Sequence, residues 1–502
     1  MCSLIFGITH FHETSLDRFD EANILIHGIR KTWDSSFGAP ISWIYSALCS
    51  LITPVLAMQT MHFLASILVL PQLIFMIGES IWKNKWISFT ASIVALTAYV
   101  NFPLTPKTQL YAFLFHLIVF FGIYRKDMSK IRFAVFSLCL SLIPFLRQDG
   151  MIYYPLAFYF YCYNHKILWK RVLLLSTSLL VGITIFTITI GDPWSAQRSK
   201  PIYLEAFQWQ HKEFVKPYIN SNLGIRRSVE ILFKDPKTLS EAIMNRPDLF
   251  KMHLTTNLLA LPKGLWSTLQ IHAIPFIKAQ YVWICFLIII ALMPSEVISY
   301  EAMKFLILFF SVSIFKCFST SLLSSPIERY LLDIFLILFL ILPVVVFYVS
   351  KKFITKGYHN LAVLMLFLLF SSQVFYFDKN FSPKNDINTI VETINNLHLD
   401  KKTTRMLALP GPIAYFNPTG DNFNFIFDAH KIYNIADFVK DNNINLIVAD
   451  DSLKKLSRYN GREKEMQAIW DKVPLFGFTK ILIPNSVHSF LLVKTQNLKD
   501  FK

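Results

Sequence analysis

Leu16-Asp17-Arg18-Phe19-Asp20-Glu21-Ala22-Asn23-Ile24-Leu25 stands ahead of several hundred largely apolar residues. Two adjacent acids beside a membrane-spanning region are costly to desolvate, so they lie in water or are held there for a purpose. Outward from this stretch the composition sets the class. The chain has 502 residues, 54% of them hydrophobic and 16% charged, with 47 Phe. Its apolar residues gather into runs of about 18 to 25, the length needed to cross a bilayer core. The predicted fold is a polytopic α-helical membrane protein of about 10 to 11 spans, followed by a small C-terminal α/β unit. Spans are expected near 54–81, 87–103, 108–124, 132–146, 151–163, 172–190, 278–297, 304–323, 327–350 and 358–376.

The formal charge of +16 does not point to nucleic acid, because the basic residues cluster in short loops between apolar runs, where they set orientation in a membrane. With residues 12–50 outside, the inner loops hold Lys83 and Lys85; Arg125, Lys126, Lys130 and Arg132; Lys166, Lys170 and Arg171; Lys304; and Lys351, Lys352 and Lys356. The short outer loops hold only Lys107, Arg147 and Arg329. This bias implies a multi-pass membrane location with Asp20-Glu21, the 192–277 loop and the tail on the outer face. It requires that 39–52, which begins Ala39-Pro40-Ile41-Ser42-Trp43, be a surface helix opened at Gly38-Ala39-Pro40 and stopped at Pro54. Met1 to Phe11 is apolar but too short to span, so the expectation is a truncated first helix. Five of the six Cys lie in apolar segments and none forms a CxxC pair, so neither a disulfide framework nor a zinc site is indicated.

The domain reading is 1–53 for the truncated span and acidic outer loop, 54–377 for the transmembrane part with a long polar loop at 192–277, and 378–502 for an outer α/β unit. In that tail Met406-Leu407-Ala408-Leu409, Asn445-Leu446-Ile447-Val448-Ala449 and Phe490-Leu491-Leu492-Val493 read as strands, and 386–397 and 462–472 as helices. Leu409-Pro410-Gly411-Pro412 reads as a turn and Asp450-Asp451 as a solvated strand end.

Four features then fall on one face. Asp17, Asp20 and Glu21 are spaced i, i+3, i+4, which suits a general base with a tuning neighbour or a divalent-cation site, and equally a solvated helix N-terminus. Arg147, in Phe145-Leu146-Arg147-Gln148-Asp149-Gly150, suits a phosphate or an anchor paired with Asp149. Arg329, in Glu328-Arg329-Tyr330, can be held by Asp333. The 192–277 loop mixes aromatic and cationic residues around His211, Arg226-Arg227 and Asn245-Arg246-Pro247 to Asn257, a mixture suited to an anionic lipid headgroup or a sugar. A lone His211 or His253 is more often a hydrogen-bonded structural residue than a catalyst. No HExxH, GxSxG or Walker-type pattern occurs.

Asp20-Glu21-Ala22, the Pro40-started helix, Arg147 before Gly150, Arg329-Tyr330 and a soluble tail together resemble the GT-C superfamily of membrane glycosyltransferases. The chain is most similar to the bacterial branch related to protein O-mannosyltransferases and the lipid A aminoarabinose transferase. It departs from that branch at Ala39, where a Lys often precedes the Pro-started helix, and in its missing first span. The resemblance implies a multi-pass protein of a bacterial inner membrane that transfers a sugar from a polyprenyl-phosphate carrier to an acceptor hydroxyl of a lipid, glycan or protein, in cell-envelope or lipopolysaccharide modification. It implies Asp20 as base, Glu21 or Asp17 as its partner or as a ligand of Mg or Mn, Arg147 and Arg329 at the phosphate, and Asp17, His211 and Asp333 in the substrate region. The alternatives are an O-antigen polymerase or ligase, which usually lacks an early acidic pair and a large tail, a transporter, an inactive GT-C-like paralogue and a non-catalytic membrane scaffold.

Overall fold

The structure, a computed structural model, describes residues 20–32, 39–64, 70–82, 85–97, 129–146, 148–164, 169–190, 199–218, 224–272, 300–324, 386–425, 432, 434–459, 463–471, 477–484 and 489–498. The first part is helical: α1 (Asp20–Arg30), α2 (Ala39–Cys49), α3 (Pro54–His62), α4 (Leu70–Trp82), α5 (Lys85–Thr97), α6 (Lys130–Leu146), α7 (Tyr154–Asn164) and α8 (Trp169–Ile190). Local chemistry starts several of them. Thr53 accepts from the Leu56 amide at 3.4 Å with Pro54 in the first turn of α3, a favourable entry because proline lacks the amide that the first turn leaves unpaired.

The stretch 192–277, expected as a polar loop, carries α9 (Ser199–Gln210), α10 (Lys212–Val215), α11 (Gly224–Leu232), α12 (Leu239–Asn245) and α13 (Pro247–His272). These helices surround their own core of Tyr203, Leu204, Phe207, Val229, Phe233 and Leu249. Thr238 caps α12, its Oγ1 accepting from the Glu241 amide at 3.1 Å, and Glu241 Oε2 reaches back to accept from the Lys237 amide, one residue before the cap, at 2.6 Å. Helix α14 (Tyr300–Leu323) packs on α13.

The tail adds α15 (Asp386–Asn396), β1 (Met406–Ala408), α16 (Pro410–Phe416), β2 (Phe423–Asn424), α17 (Ile435–Asp441), β3 (Leu446–Ala449), α18 (Asp451–Tyr459), α19 (Glu463–Met466), β4 (Phe478–Leu482) and β5 (Phe490–Lys494). The three apolar runs read as strands are β1, β3 and β5. Sheet order is β2-β1-β3-β5-β4, parallel among the first three and antiparallel at β3/β5 and β5/β4. Strand side chains alternate between faces. Met406, Ala408, Leu446, Val448, Leu491 and Val493 join the core containing Ala22, Leu25, Ile390 and Tyr415, whereas Leu407, Ile447, Ala449 and Leu492 join the core containing Phe438, Leu453 and Ile469. Pro410-Gly411-Pro412, read as a turn, opens α16 with Pro410 in its first turn. Asp450 is buried and caps α18, accepting from the Leu453 amide at 2.7 Å, so it is a structural residue and not a solvated strand end.

The ten-span reading is corrected. Among the described residues one helix, Trp169–Thr189, has both the length and the apolarity to cross a membrane. The run 54–81 contains α3 and α4, of 9 and 13 residues; 87–103 contributes α5, of 13; 151–163 is a 3-10 turn followed by the 11-residue α7. Helix α6 has 17 residues and α14 has a 17-residue apolar part, Ile307–Leu323. The physical reason is burial: Met58, Ile74, Ile77, Ile87, Ala91, Phe136 and Leu140 are sealed in a common core, and apolar runs of about 10 to 14 residues suit a buried core helix as well as a lipid-facing one. The architecture is mostly helical with a small mixed sheet, and the multi-pass inner-membrane location and the orientation drawn from basic loops fall with the spans. The runs 108–124, 278–297, 327–350 and 358–376 lie outside the described residues.

Helix α1 crosses α2 closely. Ser42 donates its hydroxyl to Ile24 O at 3.0 Å, and a Cβ on Gly28 would stand 2.5 Å from Ser42 O. That obstacle is backbone, so Gly28→Ala must push the helices apart. The expected cost is about 1–3 kcal/mol, read as a lower thermal unfolding midpoint.

Candidate functional site

Asp20 and Glu21 are the first two residues of α1, where acids also favour the helix dipole. The helix they open is held at its far end. Arg30 donates Nε to Pro418 O at 2.6 Å and Nη2 to Gly420 O at 2.9 Å, while Asn424 on β2 donates to Asn23 Oδ1 at 3.4 Å. Asp17, Arg147, Arg329 and Asp333 lie outside the described residues. Asp149, expected as a partner for Arg147, lies 3.8 Å from Lys316 Nζ of α14, a buried lysine inside an apolar helix. Tyr153 beside it shares a 2.9 Å hydroxyl hydrogen bond with Ser313.

A second polar group is gathered around His211. Its inner wall is the C-terminal turn of α14, whose last carbonyls have no partner within the helix. Asn257 Nδ2 lies 2.9 Å from Leu322 O and 3.2 Å from Ser324 O, and His253 Nε2 lies 3.3 Å from Leu323 O. Both Asn257 and His253 are fully buried and one helical turn apart on α13. Asn257 Nδ2 is also 3.1 Å from His253 Nε2. A proton shared between those two nitrogens would leave two buried carbonyls unpaired. The arrangement that pairs all three has Asn257 donating to Leu322 and Ser324 and His253 Nε2–H donating to Leu323.

The rest follows outward. Asn257 presents its oxygen, which accepts from Gln210 Nε2. His253 presents a bare Nδ1, 3.3 Å from His211 Nε2, so His211 carries its proton there. The last atoms on these two wires are Gln210 Oε1, which is shielded from water and without a hydrogen-bond partner, and His211 Nδ1. Burial pushes His253 down to about 4, with the neighbouring His211 adding to the fall, and burial also lowers His211. Both imidazoles are therefore neutral near pH 7.

Three cations of this region are engaged with acids. Lys200 pairs with Glu230 at 3.3 Å, and Arg227 pairs with Glu230 at 3.1 Å and Asp235 at 2.7 Å. Arg246 grips Asp248 through two bonds of 3.0 and 2.7 Å and donates to Leu232 O at 3.1 Å. Lys212, next to His211, and Lys251 are exposed. Among the described residues, no three His, Cys, Asp or Glu side chains gather as a metal site.

Of the group, the sequence pointed to His211 and His253 and to the stretches ending at His211 and Asn257, but not to Lys316. The missed signals were the i, i+4 spacing of His253 and Asn257, and a Lys within an apolar run. No known protein-family model matches the chain, and no curated protein matches it significantly.

The buried neutral His253 has a pH consequence. Its value of about 4 in the fold lies below the ordinary 6.5, so as pH falls the unfolded chain takes up the proton first. The contribution is fully present above about 6.5 and is lost as pH falls toward about 4. Urea unfolding midpoints should fall between about pH 7.5 and about pH 5, and fall less steeply in His253→Gln, which does not titrate. Parallel declines in the two proteins would show that His253 is not held neutral.

Proposed function

We propose that the chain is a glycosyltransferase that moves a sugar from a polyprenyl-phosphate carrier to an acceptor hydroxyl, with inversion, in cell-envelope glycan or lipid modification. The observation that carries the reading is the acidic pair Asp20-Glu21 at the start of a helix clamped at both ends, by Asn23 against β2 and by Arg30 against the 418–420 loop. A base must be held within reach of the proton it removes, and a clamped helix terminus gives such a fixed origin.

Asp20 takes the proton from the attacking hydroxyl as the acceptor oxygen bonds to the anomeric carbon. The bond from that carbon to the carrier phosphate breaks, and the phosphate leaves with the electron pair. Glu21 orients the base. Arg147 and Arg329, on the strength of the motif resemblance, meet the growing charge of the leaving phosphate. Asp20 and Glu21 are also the residues that would take Mg or Mn. The described donors do not complete such a site.

A polyprenyl tail needs an apolar surface, and α8 offers one. Leu173, Leu174, Leu180, Val181, Ile185 and Ile188 are exposed along it, Ile188 to 79%. The polymerase or ligase alternative does not use the acidic pair. Transfer from a radiolabelled polyprenyl-phosphate sugar should fall at least about 100-fold in Asp20→Asn with the unfolding midpoint unchanged. Unaltered transfer by that protein would remove Asp20 from the chemistry.

A further inference from the structure

We infer that α6 and α8 form a lipid-contact unit, in which α8 stands along the normal of an anionic bilayer and the cations that open both helices meet its headgroups. This goes beyond the glycosyl-transfer reading and does not rest on it. One helix meets lipid in this arrangement, and the ten-span reading is not restored. The two helices run side by side and parallel. A Cβ on Gly182 would overlap the Ser141 side chain, and Phe145 packs on Phe186 with ring centroids 5.7 Å apart. Both contacts join residues at the same sequence offset, so the register carries back to the first turns, where Lys130 and Arg132 of α6 come within a turn of Lys170 and Arg171 of α8. Tyr161 ties that end together, since its ring lies 5.8 Å from Phe133 and within reach of the Arg171 charge. Lys130, Lys170 and Arg171 are exposed, and neither helix has an acid in its first turn. Cations gathered at two positive helix ends are unfavourable, and an anionic partner offsets that cost.

Beyond that end no charge interrupts 172–190. Leu175 and Leu179 are the only buried side chains among the described residues of α8. Leu173, Leu174, Leu180, Val181, Ile185 and Ile188 are exposed and together cover a broad convex face of the helix. On α6 the exposed Ile131, Val135 and Leu138, at i, i+4 and i+7, begin from the same cationic end. The placement of charge selects the occupant. A helix lying flat on a membrane carries its cations along one face, whereas α8 carries them at one end, so its axis follows the bilayer normal. Trp169 is exposed beside those cations, at the depth where aromatic residues sit in a bilayer interface. The stretch Trp169–Thr189 has 21 residues, a length of about 31 Å against a hydrocarbon core of about 30 Å. A convex face of that breadth takes many acyl chains, where a single chain needs a groove, so a polyprenyl tail would reach α8 from within the bilayer.

The test puts benzoylphenylalanine in place of Leu173, Leu180 or Ile188 in the full chain, with exposed Met244 as the reference position. Each protein is transferred from detergent into vesicles of equal parts phosphatidylcholine and phosphatidylglycerol, irradiated, and its products identified by mass. The probes at Leu180 and Ile188 should crosslink to phospholipid and the one at Met244 should not. The probe at Leu173, nearest the cations, should take phosphatidylglycerol over phosphatidylcholine by roughly fivefold, and Lys130→Gln with Lys170→Gln should reduce that preference. Equal lipid yield at Met244 would show indiscriminate adsorption and overturn the inference. Chain-to-chain products at Leu180 and Ile188 in place of lipid ones would assign the face to a second copy, and products formed only after a polyprenyl phosphate is added would assign it to the carrier alone; either overturns it. Should the double variant misfold, the natural cations still decide, because equal phosphatidylglycerol preference at Leu173 and Ile188 would overturn the orientation. Transfer indifferent to Asp20→Asn would sink glycosyl transfer and leave the lipid contact standing. Absence of lipid products beside transfer that depends on Asp20 would do the reverse.

Discussion

One face of the tail sheet is completed by the other end of the sequence. Met406, Ala408, Leu446 and Val448 belong to the same buried core as Ala22, Leu25, Met58 and Ile74, so the sheet, α1 and the early helices share one interior. The opposite face is closed locally, by α17 to α19. Non-local closure of this kind brings together segments some four hundred residues apart, and it removes from water apolar area that neither segment buries alone. Arg30 adds direction to the hydrophobic contact. Its guanidinium satisfies two carbonyls of the 418–420 loop, and that loop is itself fastened by Asn417, which donates to Lys401 O at 2.8 Å and Thr404 O at 3.0 Å. The acidic pair at the head of α1 is therefore placed by the tail, and the tail is part of the body rather than an appendage.

This explains where sequence reasoning succeeded and where it failed. Strand runs such as Leu446-Ile447-Val448-Ala449 were legible because they are short, apolar and bounded by turn residues, a pattern that few other elements produce. Pro40 marked the start of a helix over 39–52, and α2 occupies Ala39–Cys49, but it buries Ile41, Ser42 and Tyr45 against the body of the protein. The span reading failed for a related reason. Apolar content measures how much surface must leave water, and it does not say whether lipid or protein receives it. Met58, Ile77 and Leu140 are received by other side chains, whereas Leu180 and Ile188 of α8 are not, and no periodicity in the sequence separates these two fates.

The group around His211 was hidden for a different reason. Its parts come from α9, α13 and the end of α14, and the element that organises it is backbone, the carbonyls of residues 322–324, which every sequence possesses. What the sequence does supply is the pair of side chains able to answer those carbonyls, His253 and Asn257, one helical turn apart. Asn can donate twice from one nitrogen while accepting at its oxygen, and neutral His donates at one nitrogen while accepting at the other. A leucine at either position would leave a buried carbonyl unpaired, at about 1–3 kcal/mol.

The same accounting applies to both polar regions of the molecule. Around α9 to α13, Lys200, Arg227 and Arg246 are bound to nearby acids, burial lowers the pKa of both histidines, and Gln210 Oε1 is shielded from water. At the other region, buried Lys316 puts a positive charge beside Asp149, two residues after Arg147 in the chain. Burying a lysine in an apolar helix is unfavourable unless an anion accompanies it, and one carboxylate 3.8 Å away supplies that compensation. In both regions a buried polar group is answered within the protein, Lys316 by Asp149, and the carbonyls of residues 322–324 by His253 and Asn257.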